Sequence, residues 1–168
     1  NSIVETFYRD NGNGLQDETG DIYGFVSNDY IGVDPYWSAC NVRILERDEN
    51  GDYTFDNFDA QKLQNVAEKV LQLFYGHGNA SYDYKHYGND AEQDDIRNMF
   101  AAGNAAMATL RIMALESAVM RDMKDEYGVV PMPKYDENQE EYYSFGNAAF
   151  ADCLIVPGNC SDIEMTGN

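Results

Sequence analysis

Several groups of residues have the types and spacing to do chemistry. The segment Arg9-Asp10-Asn11-Gly12-Asn13-Gly14-Leu15-Gln16-Asp17-Glu18 interleaves oxygen-bearing side chains with glycine. Calcium loops have this composition, because the ion takes several oxygen ligands around a glycine-permitted turn. One frame sets Asn11, Asn13 and Gly14 at ligand positions three, five and six, with Asp17 at nine. The same frame puts Arg9 at position one and Gly20 at twelve, where carboxylates are needed. A shift by one residue rescues Asp10 and loses both asparagines. The loop therefore reads as a solvated turn, and no metal is assigned to it.

Adjacent carboxylates recur at Asp94-Asp95, Asp136-Glu137 and Glu140-Glu141. Acid–base cleavage of a glycoside needs two carboxyls held at a defined separation in a cleft; in so acidic a chain such pairs are expected on solvated faces. Ser117 and Ser144 lack the Gly-x-Ser-x-Gly setting of an exposed nucleophile, and His77 and His86 complete no triad with them. No phosphate-binding glycine loop is present. Cys40, Cys153 and Cys160 form no Cys-x-x-Cys motif and lie far in sequence from either histidine, so zinc has no support. Cys153 and Cys160 are near enough in sequence to pair; the alternative is unpaired buried thiols. The expectation is a protein that is not an enzyme and carries no cofactor.

Aromatic residues carry more information. Tyr36 and Trp37 follow Pro35 near a point where a strand hands over to a helix. Aromatic faces there can stack on the C–H faces of a sugar ring, while Asp34 and Arg111 hydrogen-bond its hydroxyls. Two readings of Trp37 stay open. It stacks on a ligand, or it is the core residue of its own helix, since Trp37, Cys40 and Ile44 fall at i, i+3 and i+7. Arg111 interrupts an apolar stretch and either contacts a ligand or reaches solvent or a carboxylate.

The elements that must position these residues alternate along the chain. Residues 2–8 read as the end of a helix, and Ile22-Tyr23-Gly24-Phe25-Val26 as a short buried strand. Asp34 and Pro35 read as the N-cap and first turn of a helix. Residues 44–47 and 53–55 flank Asp48-Glu49-Asn50-Gly51, and the Asn-Gly pair predicts a hairpin. Asp59 caps a helix in which Leu63, Val66, Ala67, Val70, Leu73 and Phe74 form one apolar stripe. Residues 76–95 turn polar and read as a long loop. A short helix carrying Ile96, Met99 and Phe100 follows and ends at Gly103. Residues 105–110 then read as a strand, Ile112 to Met123 as a helix, and residues 127–133 as a strand broken by Pro131 and Pro133. A last strand is expected at 148–156. Strands alternating with helices predict an α/β protein.

Composition bounds the function. The 168 residues hold 11 Lys and Arg against 30 Asp and Glu, a net charge of −19. A surface that neutralises nucleic-acid phosphates needs clustered cations, so nucleic acid is excluded as a partner and anionic lipid is disfavoured. A hydrophobic fraction of 43% with 13% aromatics supplies a core, which argues against disorder. No secretory leader or membrane span is visible. The chain opens in mid-pattern without Met and reads as a segment of a longer protein.

The order of these signals resembles the middle of an extracellular solute-binding protein of bacterial ABC importers, the type-1 family that includes maltose- and oligosaccharide-binding proteins. The likeness runs through Tyr23-Gly24-Phe25, Asp34-Pro35-Tyr36-Trp37, the Asn50-Gly51 hairpin and the helix from Ala60. Its specific parts are Met99-Phe100-Ala101-Ala102-Gly103-Asn104-Ala105-Ala106-Met107, similar to a recurring F-x-x-G-x-A-A-M, and Tyr127-Gly128-Val129-Val130-Pro131-Met132-Pro133, similar to YGVxPxP. The run from Lys134 to Tyr142 is similar to a version common in gut Firmicutes lipoproteins.

The resemblance implies a periplasmic-binding-protein-like type II α/β fold, in which two lobes close on a ligand. Residues 1–126 would be a second-lobe α/β segment, and residues 127–168 a hinge crossing with a partial first-lobe segment. It implies a monomer outside the cell, anchored to the membrane as a lipoprotein in its full-length form. Such a protein captures a carbohydrate and delivers it to an ABC permease in the membrane. It places a pocket wall at Asp34, Tyr36 and Trp37 and at the strand exit with Arg111 and Met113, with Tyr143 and Phe145 near the crossing. A carbohydrate-active enzyme domain and a protein-interaction module without a small ligand are the alternatives.

Overall fold

The computed structural model of the chain describes residues 3–16, 20–84 and 91–144, with the backbone alone at 29–31, 83–84 and 91–95. Helix and strand are mixed, as an α/β protein requires. The elements are α1 (Ile3–Phe7), β1 (Phe25–Asn28), α2 (Asp29–Ala39), β2 (Glu46–Arg47), β3 (Tyr53–Thr54), α3 (Ala60–Tyr75), β4 (Ser81–Tyr84), α4 (Ala91–Ala101) and α5 (Ala118–Arg121), with 3₁₀ turns at Gly78–Ala80 and Ile112–Glu116. No helix among the described residues is long and apolar enough to cross a membrane.

The centre of the molecule is β1. It pairs in parallel with β4, Phe25 opposite Ser81 and Asn28 opposite Tyr84. Along its other edge, Tyr23 and Val26 form parallel bridges to Ala105 and Ala108. Successive strand residues face opposite sides, so Phe25 and Val26 enter different cores. Phe25 packs with Tyr36, Val66, Val70 and Phe74 beneath α2 and α3, and its ring meets Phe74 edge-on at 5.4 Å. Val26 and Tyr23 pack with Ile96, Met99 and Ala105 beside α4. A strand covered on both faces is apolar throughout, and that is how Tyr23-Gly24-Phe25-Val26 reads. At Gly24 any side chain would run into the Val4 carbonyl, so glycine is what lets α1 lie against β1.

The α3 stripe folds as its spacing predicts, with Val66, Val70 and Phe74 buried and Leu63, Ala67 and Leu73 half-buried. The Asp59 carboxylate accepts the Lys62 N–H at 2.8 Å, which satisfies one free donor of the first turn. The hairpin also forms: β2 and β3 pair antiparallel, and Gly51 closes the turn in the left-handed region at φ 86°.

Other expectations are corrected. The second helix starts at Asp29 rather than at Asp34, with Asn28 in the N-cap position and Pro35 inside the helix. Strand hands straight to helix there, and a side chain at Gly32 would meet the Ser27 side chain. Burial of Tyr36 and Ala39 in the core favours the helix through Pro35, against the local stop signal of a proline. Ile44 does not share a helical face with Trp37 and Cys40, because the helix ends at Ala39 and Ile44 lies beyond it, 50% exposed. The end is a Schellman motif: Asn41 takes φ 52°, its N–H bonds to the Ser38 carbonyl and that of Val42 to Trp37.

The expected loop at 76–95 contains β4 and the start of α4. Ser81-Tyr82-Asp83-Tyr84 has no apolar run to announce a strand, and its pairing with β1 makes it one. The expected helix from Ile112 to Met123 is two short pieces, divided at Ser117. The Ser117 hydroxyl donates to the Ala114 carbonyl at 2.7 Å and accepts the Met120 N–H at 3.4 Å, closing one piece and capping the next. Residues 129–133 are non-helical, as their prolines require. The strand expected at 148–156, with Cys153 and Cys160, lies outside the described residues.

Candidate functional site

Two crossovers place the neighbours of β1 on its opposite edges. One runs through α2 and α3 to β4; the other, from β4 through α4, returns to residues 105–108 on the far side of β1. The amide of Val26 donates to the Met107 carbonyl at 3.0 Å, and that of Thr109 to the Val26 carbonyl at 3.2 Å. The ends of β1 and of the 105–109 segment therefore lie side by side. In parallel sheets the crevice at such a reversal of strand order is where ligands bind.

Helix α2 brings Tyr36 to this place. Its ring is buried among Phe25, Val66 and Phe74, and its hydroxyl lies near the Thr109 side chain. Burial pushes the Tyr36 phenol up, and the polar Thr109 side chain opposes that rise without cancelling it. Tyr36 stays neutral in the ordinary pH range, and its hydroxyl points to the strand exit two residues before Arg111.

The other expected site residues divide among different environments. Trp37 is half-buried against the α2–α3 core, Asp34 is exposed on α2, and Arg111 is half-buried at the start of the 3₁₀ turn. Met113 is 58% exposed. Tyr143 belongs to the groove described next, and Phe145 lies outside the described residues. The structure thus joins Tyr36 to the 108–113 exit across some 70 residues of sequence. Thr109, the residue that makes the joint, has no sequence signal of its own, being a small polar residue at the end of an apolar stretch.

The groove, of ≈ 560 Å³, lies between the first turns of α3, the turn after α2 and residues 135–143. Asn41, Asp59, Lys62, Asn65, Tyr135, Gln139 and Tyr143 line it. The Lys62 ammonium donates to the Asn41 carbonyl at 3.2 Å, and the Asn65 amide donates to the Tyr135 hydroxyl at 2.9 Å. With Asp136, Glu140 and Glu141 also on its wall, the groove repels anions and offers amide and carboxylate partners for hydroxyl groups. Next to it, the Asn57 amide and then Arg43 hold the Glu46 carboxyl below its usual range. The helical spacing of α3 announces the Lys62 and Asn65 positions, but nothing in the sequence announces Tyr135 as their partner.

A scan of protein-family models gives no match to the chain, and no curated protein or solved structure matches it. What the site can do therefore rests on its own chemistry. Among the described residues no group of three or more His, Cys, Asp and Glu side chains is placed to hold a metal. In the 9–20 loop, the Asp10 carboxylate accepts the amides of Gly12 and Gly14, Asn11 accepts that of Asn13, and Asn13 that of Leu15. Asp21, which the sequence does not single out, is fully buried behind this loop. It accepts the Asn11 amide at 3.0 Å and the Tyr23 hydroxyl at 3.2 Å. Burial first, and then the Asp21 charge, push the Tyr23 phenol far up. Cys40 is a free, buried thiol that burial likewise pushes up, the state of an inert rather than a reactive cysteine.

Proposed function

We propose that this chain is the ligand-capturing part of a substrate-binding component of an ABC importer, with a lobe of the periplasmic-binding-protein-like type II fold. It takes a carbohydrate outside the cell and delivers it to a membrane permease, without turnover. The observation that carries this reading is the reversal of strand order at β1. There Tyr36 lies near Thr109, Arg111 follows two residues on and is half-buried, and Asp34 stands exposed on α2. A sugar needs an apolar face and charge-assisted hydrogen bonds for its hydroxyls, and aromatic and charged residues on α2 and at the strand exit are the types that supply them. In this reading the half-buried Trp37 supplies the stacking face, residues 127–133 cross to a second lobe, and the protein is a lipid-anchored monomer.

Thermal unfolding of the intact protein against a panel of mono- and oligosaccharides tests the proposal. Binding to the folded state stabilises by RT ln(1 + [L]/Kd), about 2.7 kcal/mol at a ligand concentration of a hundred times Kd. A dose-dependent rise in Tm with one sugar class, lost in Arg111→Ala, is expected, and no product should form. Released product from a glycan would transfer the protein to the carbohydrate-active enzymes.

A second reading rests on the hairpin. Ile44, Leu45, Tyr53 and Phe55 are each half or more exposed, and clustered exposed apolar residues mark interaction surfaces. If the protein is an interaction module, no sugar will shift Tm.

A further inference from the structure

Between α4 and the α2–α3 layer the chain crosses from one face of the β1 sheet to the other. The crossing is fastened at both ends and free in between. At its start the Tyr127 ring meets Phe100 of α4 edge-on at 6.1 Å. Gly128, Val129, Val130 and Pro131 follow, all exposed, with Val130 at 82%. No backbone hydrogen bond ties these four residues to the rest of the described chain. From Met132 onward the chain is held again. Met132 packs on the α2–α3 core, and the Cys40 thiol approaches the Pro133 carbonyl at 4.0 Å.

The fastening centres on Tyr135. The Lys62 and Lys69 ammonium groups lie 5.1 Å and 4.8 Å from its ring centroid, and cations over an aromatic face are attracted by the ring quadrupole. Its hydroxyl accepts from Asn65, and its carbonyl accepts from Lys69 at 3.1 Å. Its own amide donates to the Gln139 side chain at 3.1 Å, and Gln139 donates to the Ala39 carbonyl at 2.8 Å. One residue therefore couples the segment to α3 through its ring, hydroxyl and carbonyl, and to the end of α2 through Gln139. All of α3's contributions come from three side chains at i, i+3 and i+7 on one helical face (Lys62, Asn65 and Lys69), so the α3 surface is a matched seat for this ring.

We propose that Tyr135 is a latch that makes residues 132–139 part of the α2–α3 layer, so that bending of the crossing is confined to residues 128–131. The proposal stands on these contacts alone and does not depend on the ligand or on a second lobe. It assigns Gly128 the role of the freest joint, since a Cβ there would meet nothing within 4 Å, while Pro131 stiffens the far end.

Hydrogen exchange of the intact chain, resolved to single amides, tests it. The amides of Gly128, Val129 and Val130 should exchange at nearly the free-chain rate, while those of Tyr135 and Gln139 are protected. Tyr135→Ala should accelerate exchange at 135–139 by about ten-fold or more, with the amides of α3 unchanged, as expected for local opening. Lys62→Met combined with Lys69→Met keeps the side-chain length and should give an intermediate acceleration. Tyr135→Phe, which loses only the Asn65 bond, should give the smallest. Equal exchange at 129 and 135 in the parent chain would overturn the latch. So would a Tyr135→Ala variant that leaves 135–139 protected, or one that deprotects α3 to the same extent, since the ring would then be a part of the core rather than a latch on it.

Discussion

The parallel unit around β1 and the β2–β3 hairpin are both built on strands, yet they are held together by different forces. In the parallel unit Tyr23, Val26, Val66 and Ile96 are almost wholly buried, and every pairing joins residues far apart in sequence. In the hairpin the strands are two residues long, and Tyr53 and Phe55 are exposed by more than 60%. Its fastenings are local. The Asp48 carboxylate accepts the amides of Asn50 and Asp52, each at 2.9 Å. Arg47 lies over the Tyr53 ring at 4.5 Å and donates to the Gly51 carbonyl at 2.9 Å. Burial thus stabilises the first region through area removed from water, and turn chemistry the second. The two should respond to different perturbations.

The sharpest separation comes from paired aromatic truncations. Phe74→Ala opens a cavity against Phe25, and about 3–5 kcal/mol of stability should be lost. Phe55→Ala removes an exposed ring and should stay within about 0.5 kcal/mol of the parent. Urea unfolding of both variants checks this, and similar losses in the two would break the comparison. Val70→Ala should likewise cost more than a truncation at the half-buried Leu63 would suggest from side-chain size, because Val70 is only 6% exposed.

A smaller effect is expected at the helix start that follows the hairpin. Asp59→Ala leaves the Lys62 amide without its side-chain acceptor, at a cost of about 1 kcal/mol. Asp59→Asn should recover most of it, since the amide oxygen still accepts. Recovery by Asn in urea unfolding would assign the loss to the cap rather than to charge.

The smallest effect belongs to the hairpin and is a function of pH. Backbone amides, that of Asp52 first, hold the Asp48 carboxyl below its usual value. A carboxyl whose folded pKa is depressed contributes stability above its unfolded pKa, and loses it as pH falls through the folded one. The Asn50 and Asp52 amides should therefore lose exchange protection below about pH 4, while those of Phe25 and Val26 keep theirs. In Asp48→Ala the hairpin should be open at every pH and show no such step.

The same contrast explains which elements were legible in the sequence. Helix α3 was, because its apolar spacing and the capping Asp59 are properties of a continuous stretch of chain. The hairpin was, because Asn50-Gly51 encodes its own turn. The start of the second helix was not legible, since Asp34-Pro35 looks like a helix start while the burial of Tyr36 and Ala39 that favours a helix through Pro35 comes from distant parts of the chain. Strand β4 was hidden for a related reason: Ser81-Tyr82-Asp83-Tyr84 becomes a strand by lying beside β1. At the site, Tyr36 was recognisable as an aromatic at a strand-to-helix junction. Its partner Thr109 was not, and Asp21 and Tyr135 passed unnoticed because a polar residue's burial and contacts depend on what folds over it.

By itself, the sequence determined the alternation of helix and strand, the net charge of −19, the α3 stripe and the hairpin turn. Each of these follows from composition or from spacing within one element. Only the tertiary structure decided that β1 lies between β4 and the 105–108 segment, that Tyr36 meets Thr109, and that Tyr135 seats between Lys62 and Lys69. Those contacts join residues more than fifty positions apart, as Phe25 and Ser81 or Tyr23 and Ala105 are. Their free energy arises when distant surfaces leave water together, and no window of neighbouring residues contains it.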